Sequence, residues 1–129
     1  MKSEKGKKVI LIIDDEEDIL KLCKIVLEKE GFKVYTSQVA KLGIDTATSV
    51  IPELILLDIM MPVMDGWEVL KILRAEDVTK EIPIAMLTAK TDFKDKIMGI
   101  QEGAIDYISK PFLPQELIFR VKRIFQEIN

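Results

Sequence analysis

Histidine is absent from all 129 residues of this chain, and cysteine occurs once, at Cys23. The first absence removes serine–histidine hydrolysis and histidine-ligated metals. The second removes any internal disulfide and accords with a reducing, cytoplasmic setting. Cys23 falls on the helical stripe Ile19, Leu22, Cys23, Val26, Leu27 and reads as a small buried apolar residue. No apolar run is long enough to span a bilayer. The amino terminus is lysine-rich without a hydrophobic stretch, so it is no signal peptide. Residues 1–7 read as a flexible polar tail and residues 8–129 as one domain. A net charge of −3 gives no electrostatic reason to bind nucleic acid or an anionic membrane.

What is present is a repeated pattern. Leu54-Ile55-Leu56-Leu57 ends abruptly in Asp58, and Val9-Ile10-Leu11-Ile12-Ile13 ends in Asp14-Asp15-Glu16. Continuous apolar runs bounded by turn residues predict strands buried on both faces of a parallel sheet. Strands are expected over 8–13, 33–37, 54–57, 84–88 and 105–109. Helices are expected between and after them, over 16–30, 39–49, 66–77, 93–102 and from Pro114 onward. Gly31 marks a helix stop. Asp65 and Glu68 have capping-box spacing. The last helix is expected to bury Leu117, Val121, Ile124, Phe125 and Ile128. Such alternation gives an α/β fold with right-handed crossovers. The purely apolar strands 1, 3 and 4 belong in the centre. That favours a flavodoxin-like (βα)5 doubly wound sheet of order 2-1-3-4-5, with its switch point between strands 1 and 3.

The acidic residues fall at that switch point. An isolated aspartate at a strand end is usually a turn residue. With Asp14 and Asp15 at the neighbouring strand end, Asp58 instead suggests chemistry. Three converging carboxylates repel one another unless a cation is present, and oxygen-only ligands suit Mg²⁺. The backbone carbonyl of Met60 is placed to face such an ion, while the side chains of Met60, Met61 and Met64 read as packing. A carboxylate can also take up a phosphoryl group as a nucleophile. Thr88 and Lys110 sit at the carboxyl ends of later strands, where a hydroxyl and an ammonium can meet a phosphoryl oxygen. Lys110-Pro111 is a candidate cis peptide. Trp67 reads as packing and Tyr107 as a β-prone aromatic.

The full set resembles the receiver domain of bacterial two-component response regulators. The set is Asp14-Asp15, Asp58, Met61-Pro62-x-Met64-Asp65-Gly66, Leu87-Thr88-Ala89, and Gly103-Ala104-x-Asp106-Tyr107-x-x-Lys110-Pro111-Phe112. The resemblance implies that Asp58 accepts a phosphoryl group from a sensor histidine kinase or phosphotransfer protein. Asp15, Asp58 and the Met60 carbonyl would hold Mg²⁺ directly, and Asp14 through water. Thr88 and Tyr107 would act as switch residues, and Lys110 would bind a phosphoryl oxygen. The protein would be no conventional multiple-turnover enzyme. The fourth helix, fifth strand and fifth helix would form the face that meets an output domain, a downstream protein or a second copy after phosphorylation. Two charge pairs used by dimerising members are matched, Lys96 with Glu116 and Asp106 with Arg120. The third would join Ile105 to Glu127, and Ile105 carries no charge.

Three other readings are weaker. A haloacid-dehalogenase-type phosphatase needs an acid two residues after its nucleophile, where Asp58 is followed by Met60, and Asp14 by Glu16 with no threonine after it. A dinucleotide-binding domain needs a Gly-x-Gly-x-x-Gly after strand 1, which is missing. A receiver-like module that is never phosphorylated would not need the full set of Asp14, Asp15, Asp58, Thr88 and Lys110.

Overall fold

Five short strands line up in parallel: β1 (Val9–Ile13), β2 (Lys33–Ser37), β3 (Leu54–Asp58), β4 (Ile84–Thr88) and β5 (Asp106–Ser109). Their order is β2-β1-β3-β4-β5, as the apolar content of strands 1, 3 and 4 predicts. The computed structural model describes residues 6–89 and 103–128. Four helices lie within those residues: α1 (Glu17–Lys29), α2 (Ala40–Val50), α3 (Gly66–Ala75) and α4 (Pro114–Ile128). The helix expected over 93–102 lies outside the described residues, so α4 is the last of the predicted helices.

Strand side chains alternate between two cores. Ile10, Ile12, Leu54, Leu56, Leu87 and Ile108 pack against α1 and α4. Leu11, Ile13, Ile55, Leu57, Ile84 and Met86 pack against α2 and α3. Because both faces are covered, the central strands can be apolar at every position. Cys23 is buried in the first core, and burial pushes its thiol up to about 12, which leaves it inert.

Local chemistry sets the helix ends. Asp65 accepts from the Glu68 N–H, and the Glu68 side chain accepts from the Asp65 N–H, completing the predicted capping box. Gly31, at φ 94°, stops α1. α3 ends two residues earlier than expected. The buried Thr79 hydroxyl donates to Leu73 O at 2.7 Å, satisfying a carbonyl that a further turn would have used. Gly43, which weakens α2 by propensity, has a packing reason: a Cβ there would lie 2.6 Å from Ile13 Cδ1. α2 thus approaches β1 more closely than any side chain would allow.

Two packing expectations are corrected. Ile128 is 40% exposed, because it is the last residue of α4 and borders an open hollow beside Pro52, Pro83 and Phe125. Met60 is 73% exposed, since the chain turns outward directly after Asp58. Met61 and Met64 do pack against the second core. Trp67 packs there too, as expected.

Candidate functional site

Strand register assembles the site. Ile13 pairs with Leu57, so Asp14 and Asp58, the next residues, emerge side by side. Asp58 pairs with Leu87, and Thr88 pairs with Ser109, which brings Thr88 and Lys110 to the same edge one step further. Alternation places Asp14 and Asp58 in phase with Ile12 and Leu56. Thr88 and Tyr107 are in phase with Met86, on the α2–α3 side. The Lys110–Pro111 peptide is cis.

Asp14 is fully buried, Asp58 is 3% exposed and Thr88 is 4% exposed. Asp15 is half-buried at the rim. One carboxylate oxygen each from Asp14, Asp15 and Asp58 lies within 4.8 Å of the others. Lys110 reaches into this cluster with its side chain 10% exposed. Its Nζ lies 2.7 Å from Asp14 Oδ2, 2.8 Å from Glu16 Oε1 and 3.5 Å from Asp58 Oδ1. Met60 N–H donates to Asp58 Oδ1 at 3.4 Å, and Glu16 N–H donates to Asp14 Oδ1 at 2.9 Å.

The electrostatics follow from burial of like charges. Burial, then the charge of Asp14, pushes the Asp58 carboxyl up from 3.8 to about 7. Burial also raises Asp14, although Lys110 opposes the rise. Burial alone would lower Lys110, but its contacts with Asp14 and Glu16 and the charge of Asp58 outweigh that and hold it protonated. The contact with Asp14 Oδ2 has ion-pair distance without hydrogen-bond alignment. That oxygen is therefore buried beside a charge but receives no directed donor. Among the described residues, four carboxylates (Asp14, Asp15, Glu16, Asp58) face one ammonium. An under-satisfied buried oxygen in an all-oxygen cluster with excess negative charge fits a hard divalent cation.

The structure thus brings together Asp14, Asp15, Asp58 and Lys110, and places Thr88 on the same edge and Tyr107 in the strand beside it. Glu16 was not singled out from the sequence. Its only signal was its place as the third acid after β1, which spacing alone does not separate from a solvated helix start. Asp106 and Arg120, one of the charge pairs singled out from the sequence, meet within one chain at 3.4 Å. Arg120 also donates to Tyr107 O, tying α4 to β5.

The family model for the response regulator receiver domain matches residues 10–122. This chain belongs to the response regulator receiver family. Among curated relatives, the alkaline phosphatase synthesis transcriptional regulatory protein PhoP of Bacillus subtilis is 44% identical over 119 residues, covering 92% of this chain and 49% of the relative. The phosphate regulon transcriptional regulatory protein PhoB of Escherichia coli is 38% identical over 120 residues, covering 93% of this chain and 52% of the relative. The receiver here therefore spans about half the length of the curated relatives it matches. Among solved structures, the chemotaxis protein CheY4 of Vibrio cholerae superimposes with a TM-score of 0.88 at 30% identity, covering 92% of this chain and 99% of that one. No helix among the described residues is long and apolar enough to cross a membrane.

Proposed function

We propose that this receiver takes a phosphoryl group onto Asp58 from a phosphohistidine of a sensor kinase or phosphotransfer protein, in a Mg²⁺-dependent reaction in the cytoplasm. The observation that carries this reading is the convergence of Asp14, Asp15, Asp58 and Lys110 on one strand edge. A carboxylate oxygen of Asp58 attacks phosphorus; the new P–O bond forms as the donor's P–N bond breaks, and the imidazole leaves with the electron pair. Asp15, Asp58 and the Met60 carbonyl would hold the cation, with Asp14 behind them. Bound there, Mg²⁺ would neutralise the carboxylates and the phosphoryl oxygens that otherwise repel each other.

Lys110 then pairs with one phosphoryl oxygen and the Thr88 hydroxyl donates to another. Tyr107, in phase with Thr88 on the adjacent strand, follows that movement. Its strand is tied through Arg120 to α4, so a shift at the site reaches the outer face of α4. There Phe119 is 62% exposed and borders a hollow of about 350 Å³ with Ile108, Phe112 and Glu116. That face is our assigned surface for an output domain, a downstream protein or a second copy. The reaction is stoichiometric signalling: Asp58 keeps the phosphoryl group, the donor histidine is released unphosphorylated, and phosphate leaves on later hydrolysis.

The test is an intact-mass measurement after incubation with Mg²⁺ and acetyl phosphate. One added phosphoryl group is expected, and it should be absent from Asp58→Asn protein and from a sample with EDTA. Uptake that survives Asp58→Asn would place the acceptor elsewhere.

A further inference from the structure

Lys110 is shared unequally in the resting site. Its ammonium is 2.7 Å from the buried Asp14 Oδ2 but 3.5 Å from Asp58 Oδ1, too long for a normal hydrogen bond. It is 2.8 Å from Glu16 Oε1, with hydrogen-bond geometry. Glu16 is the N-cap residue of α1, yet its side chain makes no capping bond. Its carboxylate instead crosses 94 positions in sequence to reach Lys110. The Glu16 side chain is 60% exposed while that of Lys110 is 10% exposed. A nearly buried ammonium is thus held between the buried Asp14 Oδ2 at 2.7 Å and the exposed Glu16 carboxylate at 2.8 Å, and neither contact brings it within hydrogen-bond reach of the acceptor.

We infer that Glu16 is a positioning residue that parks Lys110 in the unphosphorylated state and competes with the phosphoryl group for it. The inference rests on Asp58 being the phosphoacceptor. A ligand shifts an equilibrium only through contacts that differ between its two states. The Glu16–Lys110 contact is such a difference: it belongs to the resting state and is given up when the ammonium turns to a phosphoryl oxygen. A phosphoryl group carries about −1.5 to −2 charge and three strong acceptor oxygens, against a single negative charge on Glu16, so it wins the competition. Breaking the contact costs part of the affinity. It also frees the Glu16 carboxylate at the amino end of α1, where unpaired backbone N–H groups and the helix dipole favour negative charge. The contact thus raises the threshold for activation, and its release marks the start of α1 as a second place where the state of Asp58 is expressed.

The test is a double-mutant cycle read by beryllofluoride affinity in Mg²⁺, with wild type, Glu16→Gln, Lys110→Met and the double variant. Glu16→Gln is expected to bind about two- to fivefold more tightly than wild type, the size of one partly exposed ion pair. In the Lys110→Met background the same substitution should change nothing. Equal affinity of Glu16→Gln and wild type would overturn the inference. So would a gain that persists without Lys110, because Glu16 would then act only as a nearby negative charge. A second measurement needs neither metal nor phosphoryl analogue: exchange of the Lys110 ammonium protons with water, followed by NMR in the metal-free protein. Glu16→Gln should accelerate it, and an unchanged rate would also overturn the inference. That measurement decides if Lys110→Met binds the analogue too weakly to complete the cycle. If wild type binds no beryllofluoride at all, the phosphoacceptor reading fails and the inference falls with it.

Discussion

The two ends of the same sheet are built on opposite terms. At the amino end, Ile51, Pro52, Ile82, Pro83 and Phe125 line an apolar hollow of about 370 Å³, and Phe125 stacks on Phe32 with ring centroids 5.5 Å apart. The charged groups there sit at the rim, with Lys8 over the Phe125 ring at 5.7 Å. At the carboxyl end the strands bury Asp14, Asp58 and Thr88, and Lys110 is shared among Asp14, Glu16 and Asp58. The amino end is content as it stands, because apolar atoms need no partner. The carboxyl end stores electrostatic cost that a cation and a phosphoryl group can relieve. The difference teaches that stability and function occupy opposite ends of shared strands.

The largest expected effect breaks the comparison from the amino end. Phe125→Ala should cost about 3–5 kcal/mol in urea unfolding, while molecules that remain folded still take up one phosphoryl group on Asp58. Loss of uptake by folded protein would show that the two ends are not separable.

Gly66 joins the site to α3. A Cβ there would lie 2.3 Å from Asp58 O and 2.8 Å from Ile59 Cα. Backbone must shift to admit it, so Gly66→Ala should destabilise by about 2–3 kcal/mol and slow phosphoryl uptake, measured by unfolding and by intact mass over time.

Charge removal at the carboxyl end should act in the opposite direction. The folded Asp58 carboxyl titrates near 7 against 3.8 when unperturbed, so between those values the folded chain binds more protons than the unfolded one. Without metal, the contribution of this group is fully present below about pH 4, falls as pH rises, and is lost above 7. Burial raises Asp14 in the same sense, whereas Lys110 stays protonated across this window. Asp58→Asn should therefore stabilise the metal-free protein by about 2 kcal/mol at pH 8 and by little at pH 4. Mg²⁺ should stabilise wild type more at pH 8 than at pH 5, and Asp58→Asn much less at either. Thermal melts across pH check both, and a melting temperature that rises with pH for the metal-free wild type would contradict them.

The smallest effect sharpens the boundary. Asp65→Ala removes the N-cap of α3 and should cost about 1 kcal/mol, with phosphoryl uptake little changed, because the cap holds a helix end and touches no reacting atom.

Much of this was legible in residue order. Leu54 to Leu57 and Val9 to Ile13 gave two-sided burial, and with it the central strands and the order of the sheet. Asp65 and Glu68 specified a helix start through two short-range hydrogen bonds. Asp14, Asp15 and Asp58 stood at strand ends, so parallel pairing alone was enough to collect them. Less legible was anything that depends on a distant partner. Thr79 ends α3 through one hydroxyl, which no C-terminal glycine announced. Ile128 looked like a core residue by helical spacing, but spacing does not say where the sheet stops. Gly43 looked like a flaw in α2 until Ile13 was seen against it.

The sequence by itself determined the alternation of strands and helices, the two apolar faces and the acids at the strand ends, because periodicity and turn chemistry are local. Tertiary structure alone decided that Glu16 reaches Lys110, that Asp106 and Arg120 meet within one chain, and that Asp14 Oδ2 is buried without a directed donor. Those outcomes depend on how a side chain is shared among partners far apart in the chain, and sharing is a property of distances that residue order does not contain.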